Sequence, residues 1–147
     1  MDVVFSRFTL ISAKHPDQAI RNALKLLRPG GRMVAIESSY SLALAMNTSP
    51  VMDEVCERLI AWYRRAGSRP DEGLELWRRF SQAGFRVRRD LTIPYGNHLL
   101  GNERFAAFTA LAATNLGAVY PDIFPEPFCS EVSARLLQDF NLSLIHI

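Results

Sequence analysis

Two short apolar runs bracket an amphipathic stretch at the start of the 147-residue chain, and this constrains the fold more than any other feature. Val3, Val4 and Phe5 form a continuous run rather than an alternating one, which is how a strand buried on both faces reads. Met33-Val34-Ala35-Ile36 reads the same way. Between them, Ile20, Ala23, Leu24 and Leu27 repeat at helical spacing and give one apolar stripe. Pro16 is tolerated at a first helical position, and Asp17 places an acid in the first turn. Arg28-Pro29-Gly30-Gly31 stops that helix with a cation near its end and glycines for left-handed turns. Strand, helix and strand in this order predict a parallel pair joined by a right-handed crossover.

The remaining residues continue the α/β pattern and then turn helical. Ser49-Pro50 opens a helix as cap and first residue, and Met52, Val55, Cys56, Leu59, Ile60 and Tyr63 follow the helical period up to Gly67. A further helix is expected from about Asp71 to Gln82, with Leu74, Trp77 and Phe80 on one side. Ala83-Gly84-Phe85 closes it and leads into a third strand, Val87 to Ile93, ended by Pro94 and Gly96. Phe105, Phe108, Leu111 and Ala112 predict a helix from Asn102 to Asn115. Pro121, Pro125 and Pro127 predict an irregular loop from Tyr120 to Phe128, before a last helix from Ser130 to Phe140 that buries Val132, Leu136, Leu137 and Phe140.

Composition narrows the functional classes. With 48% hydrophobic and 22% charged residues, the chain is globular and long enough for one domain with a real core. A net charge of +2 is too small to argue for nucleic acid or an anionic membrane. Arg78, Arg79, Arg86, Arg88 and Arg89 read as a solvated basic face. Two cysteines, Cys56 and Cys129, suit a reducing compartment, and neither stands with His15, His98 or His146 at metal-ligand spacing, so no metal site is read. There is no long apolar run and no signal-peptide pattern, and a cytoplasmic protein is expected.

An α/β domain needs a sheet of several strands, yet only three are legible. None of the eight glycines forms Gly-x-Gly-x-x-Gly or Gly-x-x-x-x-Gly-Lys-Ser/Thr after a strand. The pattern therefore reads as the second half of something larger. Asp2-Val-Val-Phe-Ser-Arg-Phe-Thr-Leu-Ile-Ser, His15-Pro-Asp and Leu27-Arg-Pro-Gly-Gly-Arg-Met-Val-Ala-Ile-Glu37 follow one another in order. Together they resemble the fourth strand, the next helix and the fifth strand of class I S-adenosylmethionine-dependent methyltransferases. Arg69-Pro-Asp-Glu-Gly and Leu76-Trp-Arg-Arg-Phe-Ser-Gln-Ala-Gly-Phe85 resemble the helix and turn leading into the sixth strand.

The resemblance covers about two thirds of the chain and implies a partial Rossmann-like sheet. Residues 1–100 would form the α/β part and residues 101–140 a helical part of one truncated domain. Residues 141–147 read as a non-native tail, or else as an alternating edge strand from Leu142 to Ile147. The glycine-rich loop that holds most of the cofactor is absent, and Ile11-Ser12 stands where many relatives carry two histidines, so no histidine base is carried over.

Ligands of open parallel sheets bind beyond the carboxyl ends of the strands. The resemblance therefore implies that Ser6, Arg7 and Phe8 face the methionine part of S-adenosylmethionine, and that Glu37, Ser38 and Tyr40 face a small-molecule methyl acceptor. The structural alternative is that Arg7 makes a surface ion pair and that Phe8 and Leu10 are core. Phe105, Phe108 and Tyr120 are candidate walls of an acceptor cavity, although aromatics at helical spacing more often form core. Methyl transfer to a small molecule is the first functional expectation. A non-catalytic methyltransferase-like binding or partner module is the alternative. In either case an unpaired, apolar sheet edge is expected to promote self-association.

Overall fold

The computed structural model describes residues 1–46, 49–93 and 100–143. Two strands, β1 (Val3–Arg7) and β2 (Arg32–Ile36), pair in parallel, with α1 (Pro16–Leu26) between them in sequence. The chain continues with α2 (Tyr40–Met46), α3 (Pro50–Arg65), α4 (Glu72–Gln82), α5 (Asn102–Gly117) and α6 (Glu126–Ser143). It divides into two compact units, one made of residues 1–42 and 63–92 and the other of residues 43–62 and 93–147. No helix among the described residues is long and apolar enough to cross a membrane.

In the first unit the strand–helix–strand expectation holds, with Val3 opposite Arg32, Phe5 opposite Val34 and Arg7 opposite Ile36. Burial on both faces does not hold. Both strands alternate, so Met33 and Ala35 pack inward on Leu10, Ile20 and Phe80, while Phe5 is 62% and Val34 45% exposed on the outer face. The reason is architectural: one layer of helix covers the sheet, so one residue in two of each apolar run has nothing to pack against.

The third strand is also corrected. Residues 85–93 form no strand, and the sheet has two strands among the described residues. Gly84, at a φ of 97°, turns the chain sharply after α4. Phe85 then stacks edge-on against Phe80, 5.2 Å between centroids, and Val87 joins the same core. Arg86, Arg88, Arg89 and Asp90 stay in solvent. Side-chain packing thus holds the segment without a ladder. Pro94 and Gly96 lie outside the described residues. On α4 the sequence stripe is corrected too: Phe80 is buried with Glu72, whereas Leu74 and Trp77 are exposed.

The second unit is helical. Val51 and Val55 of α3, Phe105, Ala106 and Ala113 of α5, and Phe128, Val132, Leu136 and Phe140 of α6 close on Phe124 in one core. Ser49 accepts the Met52 amide at 3.2 Å and donates to Asp139 at 2.6 Å, which confirms it as the cap of α3. Glu54 pairs with Arg58 on its own helix and joins α3 to α6 through Arg135. On α5 the buried stripe is Phe105, Ala106, Thr109 and Ala113, not the expected Phe108 and Leu111, which point outward. The expected loop through Phe128 is shorter than read: α6 already begins at Glu126, with Pro127 in its first turn, where a missing amide costs nothing. That helix also runs three residues past Phe140 to Ser143, and residues 144–147 lie outside the described ones.

Candidate functional site

The parallel register sets the carboxyl ends of β1 and β2 side by side, with Arg7 opposite Ile36. Ser6–Phe8 and Glu37–Tyr40 thus leave the sheet at neighbouring points, as the crossover requires.

At the β1 end, Ser6 faces inward and its hydroxyl is buried without a hydrogen-bond partner. Arg7 is on the outer face, its guanidinium 5.0 Å from the centre of the Phe8 ring. It thus makes a cation–π contact, and among the described residues it forms no surface ion pair of the kind the structural alternative expects. Phe8 is half exposed rather than core, and it has a φ of 50°, the sole positive value of a non-glycine among the described residues. Left-handed backbone costs an ordinary residue roughly 1–2 kcal/mol. The Phe8 amide still donates to the Ile36 carbonyl at 2.8 Å, so the ladder ends on this strained residue and the chain turns away at once.

Glu37 holds that turn. Its carboxylate accepts the amides of Thr9 at 2.9 Å, Leu10 at 2.8 Å and Ile11 at 3.2 Å, three successive donors at the start of the single helical turn Leu10–Ser12. A carboxylate so engaged positions the loop, and it is not free to reach an acceptor. Leu10 and Ile11 beneath it are core.

Ser38 has a buried hydroxyl without a hydrogen-bond partner, and its carbonyl accepts the Gly73 amide at 2.9 Å. A Cβ on Gly73 would stand 2.9 Å from both the Glu37 and Ser38 carbonyl oxygens, so only glycine lets α4 approach the β2 end this closely. Tyr40 starts α2, its ring 5.3 Å from that of Tyr63 and its amide on the Pro70 carbonyl. Asp71 organises the same stretch. It accepts from the Ser39 hydroxyl at 3.1 Å, the Ser41 amide at 2.8 Å and the Ser41 hydroxyl at 2.6 Å. Burial pushes the Asp71 carboxyl up, but those three donors and Arg64 outweigh it and hold it below the ordinary value.

Behind the β2 end lies Glu72, fully buried, 2.7 Å from the Arg79 guanidinium. Burial raises its carboxyl against the pull of Arg79 and Arg69, and nearby Glu37 adds to the rise. Arg79 also donates to Asp17 at 2.6 Å. It is therefore an interior ion-pair residue, not part of the solvated basic face read from the sequence.

The site is thus assembled in part. Ser6, Arg7, Phe8, Glu37, Ser38 and Tyr40 all lie at the carboxyl edge, but Glu37 and Tyr40 are committed to holding loops. Phe105 is core in the helical unit, Tyr120 stands against Trp62 at 6.2 Å, and Phe108 is exposed. Cys56 is buried on α3, and burial pushes its thiol up to about 11, which leaves it protonated and inert. Among the described residues, no three His, Cys, Asp or Glu side chains gather as a metal would need. Sequence reasoning missed α2, the Asp71 hub and the Glu37 staple. The Glu37 donors are backbone amides 26 to 28 residues away, which no side-chain pattern announces. No protein-family model, curated protein or solved structure matches the chain.

Proposed function

We propose that the chain forms the strand-end part of a methyl-transfer site in an S-adenosylmethionine-dependent methyltransferase acting on a small molecule. The observation that carries this reading is the exposed Arg7–Phe8 cation–π pair at the carboxyl end of β1, beside the end of the adjacent parallel β2. Ligands of open parallel sheets bind beyond such strand ends, and a cation beside an exposed ring suits a ligand that carries a carboxylate. S-adenosylmethionine would supply an electrophilic methyl group, and these residues fit its methionine end. Arg7 offers a cation toward a carboxylate and Phe8 an exposed ring beside it, while Ser6 lies inward on the opposite face of the strand. Glu37 has a positioning role here: it fixes the turn that presents Phe8.

The test is a titration with S-adenosylhomocysteine followed by amide NMR. The resemblance assigns the adenosine to a glycine-rich loop that none of the eight glycines forms, so binding is expected to be weak and undetectable by calorimetry at micromolar concentration. At millimolar concentration, saturable shifts should concentrate at Ser6, Arg7 and Phe8 and shrink in Arg7→Ala. If these residues do not respond, the methyl-transfer reading fails. The alternative of a non-catalytic partner module then stands, and the commitment of Glu37 and Tyr40 to loop structure favours it.

A further inference from the structure

We propose that a basic cleft at the start of α1 binds the phosphate group of a small phosphomonoester. This site is separate from the strand ends: none of residues 6–8 or 37–40 lines it. The cleft has a volume of about 410 Å³, and its wall includes Lys14, His15, Asp17, Arg21, Arg69 and Arg79. Four cations thus come together from the loop before α1, from α1 itself, from the segment before α4 and from α4, with one carboxylate among them.

Two of the four are locked in place before any ligand arrives. Arg79, whose side chain is only 10% exposed, is held by Asp17 and by the buried Glu72. Arg69 donates to the Ala13 carbonyl at 2.7 Å and the Lys14 carbonyl at 3.3 Å, and its own amide donates to Ile11. A guanidinium carries five N–H groups, so both keep donors beyond those used. Arg69 also covers the two loop carbonyls that would otherwise turn negative ends toward the cleft. The first turn of α1 adds to the positive rim: Pro16 has no amide, His15 makes no side-chain cap, and the Asp17 and Gln18 amides lie ahead of the helical ladder.

The other two cations are exposed side chains. Lys14 and Arg21 are exposed and form no ion pair among the described residues, and Arg21 hydrogen-bonds only the neutral Gln18. Two fixed guanidiniums and two exposed cations around a concave wall suit a compact dianion with several acceptor oxygens. A neutral sugar or a cation would leave this charge unanswered. Asp17 and Glu72 answer the charge of Arg79, which leaves Lys14, Arg21 and Arg69 in excess.

The test is NMR titration with inorganic phosphate and with phenyl phosphate at constant ionic strength. Saturable shifts of the Asp17 and Gln18 amides are expected with both. The Lys14→Ala/Arg21→Ala double variant should weaken them at least about tenfold, with unchanged circular dichroism because both side chains are exposed. Arg28→Ala, which removes an exposed cation paired with Asp2 outside the cleft, should leave the affinity unchanged. Shifts reproduced by sodium chloride, or equal affinity in the double variant, would overturn the proposal. Binding of inorganic phosphate without phenyl phosphate would overturn the assignment to an organic phosphomonoester.

Discussion

Replacing Glu37 by alanine removes a carboxylate that three consecutive amides share, and its cost can be worked from their surroundings. The Thr9 amide is exposed and regains water at little cost. The Leu10 and Ile11 amides belong to residues 3% and 1% exposed, so they lose their acceptor in a place water reaches poorly. An unsatisfied buried donor costs about 1–3 kcal/mol, which sums over two amides to roughly 2–6 kcal/mol. Water entering the space of the deleted side chain trims the upper end to about 4 kcal/mol. Against a total of about 5–15 kcal/mol for a folded domain, such a loss is large. With a urea slope of about 2 kcal/mol/M, the midpoint should fall by about 1–2 M at unchanged slope. Hydrogen exchange at Leu10 and Ile11 should accelerate together. Glu37→Gln should lose about half as much, because its carbonyl still serves Leu10 while its amide group opposes the Ile11 donor. An unchanged midpoint with unchanged protection of both amides would refute the staple and return Glu37 to the pool of free acceptor-binding side chains.

Gly73→Ala should destabilise by about 1–3 kcal/mol by forcing the β2 end away from α4, and a variant as stable as the parent would show that the contact yields freely. Acid should weaken the fold on the low side of the ordinary carboxylate range. Arg79 lowers Asp17, and in Glu54 burial is outweighed by Arg58 and Arg135, so each contributes stability present above its unfolded value and lost as pH falls through the folded one. Glu72 runs the opposite way: its raised carboxyl is a burden above its folded value that lifts as the pH falls through it. Arg79→Met should therefore cost about 3–5 kcal/mol at neutral pH and less in acid, and a deficit constant from about pH 4 to pH 8 in urea melts would argue against a charged Glu72. Phe5→Lys, on the exposed sheet face, should suppress concentration-dependent association in sedimentation velocity; equal association by the variant would place the contact elsewhere.

Local signals were legible where the chain's own neighbours decide the outcome. Pro16 and Pro-Gly-Gly bound α1, Ser49-Pro50 starts α3, and the parallel pairing of two apolar runs follows from the helix between them. These features depend on backbone restriction and on spacing within one or two turns, which a linear text contains in full. The strand ends were legible as a location for the same reason, because a crossover can bring them together in only one way.

Partner choice over long separations belonged to the tertiary structure. The run from Val87 to Ile93 has the residues of a strand, but a strand exists only with a neighbour to bond, and Phe85 and Val87 found a core instead. Leu74, Trp77, Phe108 and Leu111 keep helical spacing yet lie in solvent, since a stripe is buried only where another surface meets it. Glu37 became a staple and Arg79 a hub because folding placed the Thr9 and Leu10 amides and the Asp17 carboxylate, all from distant segments, within 3 Å of them. A sequence records which groups can bond; the fold settles which of them meet.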